Sequence, residues 1–129
     1  ALMSELQQQI NLALYAGLFE FEAHFAHYPP GAFYRKHYDS FRGRANRVIS
    51  TVLYLNPDWP ADGGGEMALY DEHEPEREVA RVHPEAGTFA CFLSDRIPHE
   101  VLPTRMPRVS IAGWFRRNAS LGGVIDPAR

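Results

Sequence analysis

One cysteine, Cys91, is all this sequence has, so an intrachain disulfide framework is excluded. Set among strand-forming residues, that thiol reads as a small core side chain and fits a reducing cytosol. Long apolar runs are also missing. No stretch reaches the roughly 20 residues that a membrane-crossing helix needs. The first residues lack a basic segment followed by an apolar core, so no secretory leader is expected either. Nor is there an excess of positive charge. With 13 Lys and Arg against 16 Asp and Glu, the net charge is −3, which argues against a nucleic-acid partner. The acidic stretch from Asp71 to Glu78 and the basic stretch from Arg105 to Arg117 read as solvated faces. Internal repeats and low-complexity segments are absent, and 129 residues are the size of one domain. A helix beginning almost at Ala1 leads us to expect a fragment with an upstream part missing.

What is present is strand patterning. Ser4 to Tyr15 reads as a single amphipathic helix, with Leu6, Ile10 and Leu14 on one stripe laid against a sheet. Ser4 with Gln7 forms an expected capping box, and Gly17 an expected stop. From Leu18 the period becomes two. Phe19, Phe21, Ala23 and Phe25 share one strand face, and Glu20, Glu22 and His24 the other. Pro29-Pro30-Gly31 ends that strand. Further strands are predicted over Phe33–Asp39, Asn46–Leu55, Glu66–Asp71, Glu78–His83, Thr88–Ser94, His99–Leu102 and Arg108–Arg116. The stretch Asn56–Gly65, rich in Pro, Gly and Asp, is a loop. One helix followed by about eight short strands predicts an all-β sandwich or barrel, and the tail after Asn118 is expected to fray.

Three residues on this frame have the chemistry of a metal site. In a strand, positions i and i+2 face the same way, so His37 and Asp39 are expected to point together and Tyr38 away. His99 opens a later strand that a rolled sheet can bring beside them. Two imidazoles and one carboxylate suit one face of Fe(II), with other coordination positions left for substrate and O₂. Zinc hydrolases also use two His and a carboxylate, but their helical His-Glu-x-x-His does not occur here. His24, His27, His73 and His83 have no comparable partners. His73, inside Asp71-Glu72-His73-Glu74-Pro75-Glu76, reads as part of a solvated turn, and His24 borders the pocket only if its face turns inward.

Arg108 adds a second element. Arg108, Ser110, Ala112 and Trp114 share one face of the last strand. A guanidinium facing a barrel interior is costly without an anionic partner, and a dicarboxylate would satisfy its planar fork. Tyr54, on one face with Ser50 and Val52, offers a neutral hydrogen bond to the same carboxylate.

Several linked segments resemble the prolyl 4-hydroxylase branch of the 2-oxoglutarate- and Fe(II)-dependent dioxygenases. They run from Tyr28-Pro29 through Tyr34-Arg35-Lys36-His37-Tyr38-Asp39, Tyr54-Leu55-Asn56-x-x-Trp59 and Gly64-Gly65-Glu66. They continue through Phe92-Leu93-Ser94-Asp95-Arg96-Ile97-Pro98-His99-Glu100-Val101 to Arg108, Trp114 and Phe115. Ser-Asp-Arg-x-x-His-Glu-Val is closest to the hypoxia-type prolyl hydroxylases and their bacterial relatives. The resemblance implies a mainly β, double-stranded β-helix (jelly-roll) fold with an N-terminal supporting helix. It implies Fe(II) held by His37, Asp39 and His99, and 2-oxoglutarate held through its distal carboxylate by Arg108 and Tyr54. Tyr28 would lie near cofactor and iron, with Met67, Val101 and Trp114 on the pocket wall. The implied activity is hydroxylation of a prolyl residue in a cytosolic protein or peptide by O₂, with 2-oxoglutarate converted to succinate and CO₂ and ascorbate as an accessory reductant. Neither nucleic acid nor membrane is an expected partner. Hydroxylation of a free amino acid is the alternative within the same chemistry, and a non-enzymatic sensor of metal or organic acid the alternative outside it. Departures from the family lie in the Tyr28–His37 loop, one residue shorter, in the basic segment Phe41–Arg47 and in the short loop Asn56–Gly65, so substrate choice does not carry over.

Overall fold

Strands that alternate in character need two environments, and here they obtain them by closing two sheets around a cavity. A computed structural model describes residues 2–15, 19–40 and 46–117. Helix α1 (Leu2–Tyr15) precedes eight strands: β1 (Phe19–Tyr28), β2 (Tyr34–His37), β3 (Arg47–Tyr54), β4 (Met67–Tyr70), β5 (Glu78–Val82), β6 (Phe89–Leu93), β7 (His99–Val101) and β8 (Arg108–Arg117). Each lies within a residue or two of the span its alternation predicts. One sheet has the order β1-β8-β3-β6 and the other β2-β7-β4-β5. All neighbouring pairs are antiparallel. The chain changes sheet at every connection except the β4–β5 hairpin, which makes the fold a double-stranded β-helix.

Two local expectations differ from the structure. The helix begins at Leu2, so Ser4 sits within its first turn and does not cap it. Ile10 is half-buried and Leu12 is exposed, whereas the side chains of Leu6 and Leu14, and all of Gly17, lie outside the described residues. Cys91 is only half-buried, because it stands on the outer face of its sheet, paired with Thr51.

β1 shows how the cavity inverts the usual order. Phe21 and Phe25 are 54% and 74% exposed, while His24, Ala26 and Tyr28 line the interior. Polar and small side chains face inward because this part of the interior is a cavity that also holds His37, Asp39, His99 and Arg108. The apolar core adjoins the cavity: Met67, Ala90 and Phe92 pack with Val52, Leu69, Val82 and Ile97, and Met67, Phe92 and Val52 also line the cavity.

Asn56, buried just past the end of β3, joins the segment at Pro84 to the start of β8. Its Nδ2 donates to the carbonyls of Pro84 (2.9 Å) and Val109 (3.0 Å), and its Oδ1 accepts the Val109 N–H (2.7 Å). Val109 follows Arg108, so this clasp sets where β8 begins. Each such bond contributes about 1 kcal/mol net, and a buried donor left alone costs about 1–3. Asn56→Ala should therefore lower unfolding free energy by roughly 3 kcal/mol, read from the urea midpoint at constant m value.

Candidate metal centre and carboxylate pocket

His37 ends β2 and His99 opens β7, and the two are direct cross-strand partners. Facing residues of an antiparallel pair hold their side chains side by side, so the ladder itself brings two distant imidazoles together. Their ring centroids are 4.3 Å apart. Each ring is oriented by the same device. His37 Nδ1 donates to the Arg35 carbonyl (2.6 Å), and His99 Nδ1 donates to the Ile97 carbonyl (3.0 Å). A carbonyl only accepts, so Nδ1 carries a proton in both rings, and both Nε2 atoms face the interior.

Asp39 completes the triad from outside the strand. β2 stops at His37, and Asp39 lies in a bend, so simple alternation does not place it. For the same reason Tyr38 does not point away, as strand geometry predicts, but lines the cavity mouth. Asp39 Oδ1 stands 3.2 Å from His37 Nε2 and 3.1 Å from His99 Nε2. One ligand atom from each of the three residues lies within 4.8 Å of the others. The second oxygen, Oδ2, accepts hydrogen bonds from Ser50 Oγ (2.6 Å) and Trp114 Nε1 (3.0 Å). Burial works against the ionised form of Asp39, but the bonds from His37, His99 and Ser50 prevail and hold its carboxyl well below the usual range. Burial likewise works against charge on His37, yet the Asp39 and Arg35 bonds raise its pKa above the ordinary imidazole value. With Nε2 deprotonated, as a metal ligand requires, two imidazole nitrogens and one anionic oxygen, convergent and individually oriented, fit Fe(II).

The other half of the site is a buried cation. Arg108 is 2% exposed. Its Nε donates to the Gly65 carbonyl (2.7 Å) and its Nη2 to the Tyr54 hydroxyl (3.2 Å). No carboxylate among the described residues neutralises it; its electrostatic neighbours are Tyr54 and Tyr28. Burial pushes both phenols up, so they stay neutral, and burial lowers Arg108 without removing the charge of a guanidinium. Gly65 accepts its role through its backbone: φ is +72° and a Cβ would stand 3.0 Å from Arg108 Cδ, so only glycine lets the chain pass this close.

These residues share one cavity of about 350 Å³. Tyr28, His37, Asp39, Met67, His99, Val101, Arg108 and Trp114 line it. Met67 and Val101 do so as cross-strand partners. Tyr54, fully buried, stands behind Arg108 and reaches the pocket through that hydrogen bond. Sequence reasoning left His24 unassigned and gave no role to Arg47, Tyr34, Ser50 or Ser94. His24 lies 5.2 Å from Trp114, and the Arg47 guanidinium stacks 3.8 Å over the same indole. Alternation puts His24 on the same face as Ala26 and Tyr28 but does not say which face of β1 meets the cavity. Residues 41–45 of the basic segment Phe41–Arg47 lie outside the described residues.

A proton and a metal cation compete for His37 Nε2. Because the His37 pKa is raised above 6.5, protonation reaches it nearer neutrality than in a free imidazole. Isothermal titration with Co(II) should show affinity falling as pH drops through that raised value, by about tenfold per unit for one displaced proton. His37→Ala should abolish the Co(II)-dependent rise in melting temperature.

Comparison with known proteins agrees with this geometry. Residues 23–116 match the 2OG-Fe(II) oxygenase superfamily. A Pseudomonas putida prolyl 4-hydroxylase has 46% sequence identity and a TM-score of 0.75, over 90% of this chain and 62% of that one. A Trichoplax adhaerens prolyl hydroxylase, solved with a hypoxia inducible factor oxygen degradation domain peptide, is 27% identical with a TM-score of 0.70, over 89% of this chain and 56% of that one. Mouse prolyl 3-hydroxylase OGFOD1 is 37% identical over 86 residues, 61% of this chain and 15% of that protein. The chain thus spans less than two thirds of the length of each of these relatives. With the family pattern running from within β1 almost to the end of β8 and a His-Asp-His triad at the centre of that span, the chain belongs to the 2OG-Fe(II) oxygenase superfamily.

Proposed function

We propose that this protein is an Fe(II)- and 2-oxoglutarate-dependent dioxygenase that hydroxylates a prolyl residue of a cytosolic protein, with 2-oxoglutarate going to succinate and CO₂. The observation that carries the reading is a buried guanidinium, with no carboxylate partner among the described residues, in the same cavity as three convergent metal ligands. A buried charge without a counter-ion costs several kcal/mol, and an organic acid spanning from the metal ligands to Arg108 supplies both the counter-ion and the chelate.

In this reading His37, Asp39 and His99 hold Fe(II). Arg108 takes the distal carboxylate of 2-oxoglutarate, with Tyr54 steadying the guanidinium and its own hydroxyl proton directed to the same carboxylate. Tyr28 closes one side of that subsite, its ring 5.0 Å from the guanidinium. Met67, Val101 and Trp114 form the wall that keeps water from the cofactor. Fe(II) with 2-oxoglutarate, when bound, supplies the oxidising chemistry that inserts one atom of O₂ into a C–H bond, with ascorbate as an accessory reductant. The chain's own task is orientation and exclusion of solvent, and no side chain needs to act as general base. The substrate enters beside Tyr34 and Tyr38, which are 52% and 38% exposed at the mouth. A prolyl target is favoured by the hydroxylases named above, one of which was solved with a peptide.

Succinate formed from 2-oxoglutarate with Fe(II) and O₂ measures the core activity. Arg108→Lys keeps the charge but loses the planar fork, so KM for 2-oxoglutarate should rise about tenfold or more, equivalent to about 1.4 kcal/mol or more. Incubation with a cell lysate, followed by mass mapping, should place a +16 Da change on proline within proteins. Turnover of a free amino acid with no protein modified would replace the prolyl assignment with a small-molecule one.

A further inference from the structure

Two buried serines belong neither to the ligand set nor to the carboxylate pocket. Ser50 is 1% exposed and Ser94 is fully buried. A hydroxyl in such a place is costly unless it is used. Their Oγ atoms are 2.8 Å apart, and Ser50 Oγ stands 2.6 Å from Asp39 Oδ2. The available protons order this chain in one direction. An ionised carboxylate only accepts, so Ser50 gives its single proton to Asp39. Ser94 must then donate to Ser50. Each donor polarises the next.

The chain acts on one oxygen of the carboxylate. Oδ2 receives Ser50 and also Trp114 Nε1, at 3.0 Å, whereas Oδ1 faces the two Nε2 atoms at 3.2 and 3.1 Å. Ser94 contributes a second time, because its backbone carbonyl accepts the Asp39 N–H at 3.1 Å. Asp39 needs such support. It lies past the end of β2, where no ladder holds it, and without the serines Trp114 Nε1 alone would keep Oδ2 turned away from the two Nε2 atoms.

We propose that Ser50 and Ser94 are positioning residues of the metal centre: their hydroxyl relay commits Asp39 to bind a cation through Oδ1 alone. This rests on the reading of His37, Asp39 and His99 as metal ligands. Ser50 is supplied by β3 and Ser94 by the turn that directly follows β6, so the sheet opposite β2 and β7 sets the geometry of ligands it does not itself provide.

The test is a Co(II) titration of the apoprotein, with affinity and the visible d–d spectrum as readouts and the melting temperature of each apoprotein as a control. The wild type should bind Co(II). Ser50→Ala should bind about 10–100-fold more weakly, the range seen when an outer partner of a metal ligand is lost, with an altered d–d envelope. Ser50→Thr, which retains the hydroxyl, should restore both. Ser94→Ala should weaken binding less and add nothing in the Ser50→Ala background, because the relay then has no end to act on. A Ser50→Ala protein that melts earlier but binds Co(II) with unchanged affinity and spectrum makes the serines a cross-sheet tie and overturns the proposal. If Ser50→Ala does not fold, Ser94→Ala decides: an unchanged spectrum and affinity there is equally fatal. A wild type that fails to bind Co(II) while remaining folded refutes the ligand assignment itself, and the relay's role with it.

Discussion

The Asp39 carboxylate is the point on which both sheets converge. Its Oδ1 meets His37 and His99 from β2 and β7, and its Oδ2 meets Ser50 from β3 and Trp114 from β8. Hydrogen bonds to a charged group are worth about 1.5–3 kcal/mol each, so a buried carboxylate with four such neighbours stays ionised. One anion therefore serves two purposes. It joins the sheets across the cavity, and it keeps a single oxygen turned toward a cation.

Arg108 is the electrostatic counterpart. It occupies the same cavity, but among the described residues its hydrogen bonds go to a carbonyl and a phenol, neither of which carries charge. The fold thus keeps a carboxylate that seeks a cation and a guanidinium that seeks an anion apart within one cavity. A chelating organic acid bridging metal and arginine is the arrangement that satisfies both at once. The surrounding packing is consistent with that use. Asn56 clasps the start of β8, and Gly65 brings its carbonyl against Arg108 where any Cβ would collide.

Local pattern carried much of the architecture. The alternation in β3 and β8 separated Tyr54, Ser50, Arg108, Ser110 and Trp114 correctly onto inward faces, because a strand's period of two holds wherever the ladder is continuous. It did not carry past the end of a strand. Tyr38 follows the end of β2 and Asp39 falls in a bend, and the direction of Asp39 depends on contacts with Ser94, Ser50 and Trp114 from other elements. The capping reading of Ser4 failed for a related reason: a local signal marks a compatible start, and the helix extends further when the preceding residues also favour it.

By itself, the sequence determined the strand periodicity, the kinds of metal-ligating atoms present and the presence of a cation on an inward face. Those are properties of residue type and of short-range backbone geometry. Tertiary structure decided that His37 and His99 become cross-strand partners, that Asp39 is supported from the opposite sheet, and that Phe21 and Phe25 face out while His24 faces in. The register of distant strands and the side of a sheet that meets the cavity arise from the closure of the whole chain, and no window of neighbouring residues encodes them.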